Sequence, residues 1–108
     1  MALYLIRLKQ SPAAFQHMIE HPEDRRPAFA KTLEASGGKL HGAWYAFGEY
    51  DVFALVEMPD NIAMASVISS MAASGAWSGG ETTVLLSIEE MLDAFKKAQG
   101  VEYQPPGG

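Results

Sequence analysis

Cysteine is absent from the 108-residue chain, which excludes disulfides, thiolate metal sites and a cysteine nucleophile. Basic residues are scarce: 8 Lys and Arg stand against 13 Asp and Glu, for a net charge of −5. Phosphate contacts need clustered cations, so neither nucleic acid nor an anionic membrane surface is expected as a partner. No stretch approaches the ~20 consecutive apolar residues that span a bilayer. The segment from Met1 to Gln10 lacks the basic start and cleavage site of a secretory signal, and a cytoplasmic location is expected. Gly-rich phosphate loops, a Gly-x-Ser-x-Gly elbow and dinucleotide fingerprints are also missing. One absence is local: from Asn61 to Gly80 there is no charged residue at all.

What remains is rich in apolar residues, 48% of the chain, with only 19% charged, so one folded domain with a real core is expected. Ala2 to Leu8 reads as a strand. Ser11 and Pro12 supply a cap and a first-turn proline for a helix carrying Phe15, Met18 and Ile19 on one stripe. His21-Pro22 interrupts that helix, because the residue before proline is pushed out of helical geometry. A second piece, starting at Pro22 or Pro27, carries Phe29 and Leu33 and stops at Gly37-Gly38. Strands follow at Lys39 to Phe47 and Asp51 to Met58. Pro59-Asp60-Asn61 then opens a helix from Ile62 to about Ala73. A loop from Ser74 to Gly80, a strand from Thr82 to Ile88 and a short helix with acids first and lysines last complete the order.

The order is β-α-β-β-α-β plus a terminal helix, which predicts an α+β, ferredoxin-like, four-stranded antiparallel sheet with its main helices on one face. Residues 1–100 form the single expected domain, and 101–108 a flexible tail. Both sheet faces read as apolar. In the first strand Leu3 and Leu5 oppose Tyr4, Ile6 and Leu8; in the third, Val52, Ala54 and Val56 oppose Phe53 and Leu55. The chain's own helices can cover one face only, so the other is expected to meet a second subunit or a ligand.

The central hairpin runs Gly48-Glu49-Tyr50-Asp51 into Val52-Phe53-Ala54-Leu55-Val56-Glu57-Met58-Pro59-Asp60. This resembles the GYD-domain family, named for the same Gly-x-Tyr-Asp turn. The likeness continues into the small-residue helix after Asp60 and the strand Thr82-Thr83-Val84-Leu85. It implies a small ferredoxin-like protein of the dimeric α+β barrel type, and says more about fold and oligomer than about activity.

Several residues carry candidate chemistry. Gly48 suits a turn needing positive φ, and Asp51 can bind backbone N–H groups there or across the strand. On the functional reading, Tyr50 and Asp51 border a cleft between sheet and helices. His41 and Tyr45 share strand parity with Ala43 and Phe47, opposite Trp44, and would floor a pocket against a partner subunit. Arg7 is the expected counter-ion for Asp51 or Glu57. His17-Met18-Ile19-Glu20-His21 matches the H-x-x-E-H pattern of zinc peptidases. His21 precedes a proline, the chain is too short for such an enzyme and no third ligand is evident, so His17 and His21 are weak metal candidates and solvated histidines by default.

Two functions are compatible with these residues. One is an oligomeric GYD-type module that binds a small apolar or aromatic ligand or serves assembly, with no cofactor. The other is a small barrel-type enzyme, an isomerase or monooxygenase that could carry haem, using His41, Tyr45, Tyr50 and Asp51 around an inter-subunit pocket. The expected assembly is a homodimer through the sheet faces. A higher oligomer would use the uncharged helix from Ile62 to Ala73, with Trp77 as its anchor.

Overall fold

The computed structural model describes residues 1–107. Strand β1 (Ala2–Gln10) leads to helices α1 (Pro12–Glu20) and α2 (Arg26–Ala35), then β2 (Lys39–Tyr45) and β3 (Val52–Met58). Helix α3 (Asn61–Ala73), β4 (Trp77–Leu85) and α4 (Ile88–Ala98) follow. The strands form one sheet in the order β2-β3-β1-β4 with every pairing antiparallel. This is the ferredoxin-like arrangement, with a fourth helix appended.

The local signals explain most element ends. Ser11 accepts a hydrogen bond from Ala14 N at 3.1 Å with Pro12 in the first turn of α1, and Asp60 accepts one from Ala63 N at 2.8 Å to start α3. Helix α2 begins at Arg26 and ends in a double return: Gly38 N donates to Leu33 O and Gly37 N to Glu34 O, at 2.8 and 3.0 Å. Gly37 takes φ 82° in that turn, a conformation side chains resist.

The core lies between the sheet and α2 and α3. Tyr4, Ile6 and Leu8 of β1 and Ala54, Val56 and Met58 of β3 meet Leu33, Met64 and Val67, all buried. The Tyr4 hydroxyl, carried into this core, donates to Asn61 Oδ1 at 2.6 Å, so its burial leaves no orphaned polar atom.

One expectation about the chain's path is corrected. Trp77 to Gly80 is the first part of β4 rather than loop, because Gly79 and Gly80 pair with Lys9 and Leu8 of β1. Gly80 is required there by space: a Cβ would sit 2.7 Å from Leu8 Cδ2 and 2.8 Å from Arg7 O. Trp77 itself packs half-buried against the core.

Candidate functional site

Among the described residues, no helix packs on the opposite face of the sheet. Register places its side chains in rows: Lys39, Glu57, Leu3 and Leu85; then Gly42, Leu55, Leu5 and Thr83; then Trp44, Phe53, Arg7 and Glu81. Leu3, Leu5, Phe53, Leu55 and Leu85 are half-buried and Trp44 is exposed, giving an apolar floor with charged groups at both ends.

At one end His41 Nε2 lies 3.2 Å from Glu57 Oε1. His41 keeps the open face that Lys39 shares with Glu57. The β2–β3 register slips between Leu40 and Gly42, a bulge that breaks the shared parity by turning Ala43 to the helix side and Trp44 to the open face. Tyr45, opposite Val52, stays on the helix side. It lines a groove of about 470 Å³ with Phe15, Met18, Ile19 and Gln10. The expected His41–Tyr45 pocket floor is therefore not formed. The signal was in the sequence: an isolated glycine inside a strand marks a bulge, and the Trp44 indole packs over Gly42 where a Cβ would meet it at 2.7 Å.

At the other end Arg7 pairs with Glu81, its neighbour across the β1–β4 ladder, and its Nη2 lies 3.3 Å from Thr83 Oγ1. The partners expected for it, Asp51 and Glu57, are occupied elsewhere. Tyr50 lies beside this pair with Arg7 Cζ 5.4 Å and Lys9 Nζ 5.8 Å from its ring centre, so it borders the open face rather than a cleft between sheet and helices. Hydrogen bonding toward the Glu81 carboxylate, then burial, pushes the Tyr50 phenol up from its ordinary range. Arg7 Nε is buried without a partner.

The hairpin that carries Tyr50 is held by backbone bonds. Gly48 takes φ 149°, Ala46 N donates to Asp51 O at 2.8 Å, and Asp51 N donates to Leu8 O at 2.8 Å. The Asp51 carboxylate accepts from Gln10 N at 3.0 Å. These bonds tie the turn to the end of β1, which is a positioning job for Asp51. His17 and His21 are exposed with ring centres 5.3 Å apart at the end of α1. Among the described residues no three His, Asp or Glu side chains converge as a metal cage.

A family model described as the GYD domain matches residues 4–95. The chain belongs to the GYD-domain family. Its turn motif is thus the hairpin that places Tyr50 against Arg7 and fastens Asp51 to β1. No curated protein matches this GYD chain. Two solved structures share its fold at 15% identity and a TM-score of 0.52: "crystal structure of FFRP-DM1", covering 80% of this chain and 100% of that one, and a hypothetical protein, PHS023, from Pyrococcus horikoshii, covering 81% and 92%. No helix among the described residues is long and apolar enough to cross a membrane.

Proposed function

We propose that this GYD protein is a homodimeric small-molecule-binding module whose two open sheet faces meet and enclose an apolar ligand. The observation that carries this reading is the row of Leu3, Leu5, Phe53, Leu55 and Leu85 on a sheet face that no helix covers. Flat apolar area of that extent marks a contact surface. The charged ends, Arg7–Glu81–Tyr50 and His41–Glu57, give the enclosed space polar groups that can orient an aromatic or apolar guest. Higher assembly would use the uncharged outer side of α3, where Ile62, Ala65, Ser66 and Ser70 are exposed. Glutamates at Ser66 and Ser70 should then reduce any mass above the dimer in light scattering.

Sedimentation of the wild type tests the dimer: twice 11.7 kDa at micromolar concentration is expected, and Leu5→Glu with Leu55→Glu should return it to the monomer. A stable wild-type monomer defeats the reading. Binding of an anilinonaphthalene sulfonate dye, read by its emission and by Trp44 fluorescence, tests the enclosed site and should disappear in the same variant.

A second reading rests on the His41–Glu57 pair. A carboxylate beside an imidazole orients the ring for proton transfer at its other nitrogen, which is what a small isomerase or monooxygenase would require. Haem titration distinguishes a haem protein of this kind: a Soret band that is lost in His41→Ala would favour the enzyme over the plain binding module.

A further inference from the structure

We propose that α4 is an arm that packs onto a second copy of this chain, completing the dimer that the sheet faces begin. The inference rests on the homodimer reading above and adds an element to it.

Helix α4 is built to be stable. Ser87 and Glu90 form a reciprocal capping box, Glu89 and Glu90 lie in the first turn, and Lys96 and Lys97 lie in the last. It is also strongly amphipathic, with Ile88, Met91, Leu92 and Phe95 at i, i+3, i+4 and i+7. A helix with that pattern normally lays its stripe on a core. Here no residue of α4 is buried, and Ile88, Leu92 and Phe95 are 74%, 53% and 58% exposed. The radius of gyration, 17.6 Å, is well above the ~13 Å of a compact chain of this length, and the molecule extends 59 Å along its longest axis.

Three considerations identify the occupant as a second copy. The first is continuity. Only Leu86 and Ser87 separate β4 from α4, and Leu85 at the end of β4 faces the open side opposite Leu3. A protomer seated on that face meets the root of the arm. The second is area. Four strands of seven to nine residues present a face of roughly 500 Å², short of the ~800 Å² that each partner gives to a stable interface. An arm of three helical turns adds a footprint of roughly 150–200 Å², and a two-fold exchange counts it twice, once given and once received. The third is charge. Helices that lie on anionic lipid are rich in Lys and Arg, whereas α4 carries Glu89, Glu90 and Asp93 against Lys96 and Lys97 on a chain of net charge −5.

The absence of cysteine allows a clean test on the full chain. Ala98→Cys, at the edge of the stripe, is labelled with a benzophenone maleimide, mixed with isotopically heavy wild-type protein and irradiated. Cross-links into heavy chains are expected, and cross-links confined to the labelled chain overturn the proposal by showing that the arm folds back. In parallel, Leu92→Glu with Phe95→Glu should raise the dimer dissociation constant at least a hundredfold with helix content retained. A dimer as tight as the wild type in that variant overturns the arm alone. A wild type that sediments as a monomer removes the dimer reading, and the arm with it.

Discussion

His41 Nε2 lies 3.2 Å from Glu57 Oε1 because His41 keeps the sheet face of Lys39, the residue paired with Glu57, before the register of β2 slips. Both side chains remain about one-third exposed, at 34% and 32%, so water screens the pair. In the monomeric Leu5→Glu, Leu55→Glu background, a double-mutant cycle on His41→Ala and Glu57→Ala should return a coupling of only about 0.5–1 kcal/mol. In the wild-type chain, where the proposed partner sheet covers the pair, the coupling should be larger, and equal values in the two backgrounds would show that the pair stays wet.

Asp51 carries a larger load. Its carboxylate serves Gln10 N at 3.0 Å, and its backbone joins the turn to Leu8 and Ala46. Asp51→Ala should lower the unfolding free energy by about 1–3 kcal/mol in urea titrations, the cost of leaving a part-buried donor unpaired. Asp51→Asn keeps a carbonyl acceptor and should lose less. Equal melting of wild type and alanine variant, with dye binding abolished, would place Asp51 among the ligand-binding groups instead.

The contrast between these two residues shows what the sequence made legible. Caps and stops at Ser11-Pro12, Asp60 and Gly37-Gly38 act over a few residues, and each appears where its residue type predicts. The sheet architecture followed from the order of the elements, and the pairing keeps one parity of β1 and β3 on each face. Alternation fails where one residue is added: the bulge before Gly42 separated His41 from Tyr45 and dissolved the expected pocket floor. The start of β4 was hidden for another reason. Ser78, Gly79 and Gly80 have little strand preference, and their pairing with β1 decides their conformation. The partner of Arg7 depended on the same register, since only the β1–β4 ladder puts Glu81 beside it.

Tyr50 provides a pH signature. The neutral phenol is favoured in the folded state by Glu81, so its folded pKa lies above the unfolded value of about 10. Its contribution to stability is therefore complete below about pH 10 and is lost as pH rises through the folded value. The stability difference between wild type and Tyr50→Phe should be constant through neutral pH and shrink at strongly alkaline pH. In Glu81→Gln the phenolate absorbance should appear at lower pH than in the wild type. A phenolate transition unmoved by that substitution would show that Glu81 is not the cause.

Gly38 offers the sharpest test of packing at the end of α2. A Cβ built there would lie 2.2 Å from Met58 Sδ, 2.6 Å from Glu57 O and 3.2 Å from Leu33 O. The thioether can swing aside, but the Glu57 carbonyl belongs to β3, and Leu33 O already accepts the Gly38 N–H that closes the helix. Moving any of them disturbs the ladder beneath the His41–Glu57 pair or the stop of α2. Gly38→Ala should therefore cost about 1–3 kcal/mol, as overpacking in a closed site does. Truncating Met58 to Ala in the same chain should recover little of the loss, because the carbonyl contact remains. Full recovery in the double variant, measured by thermal unfolding against Met58→Ala alone, would show that the sulfur and not the backbone sets the limit.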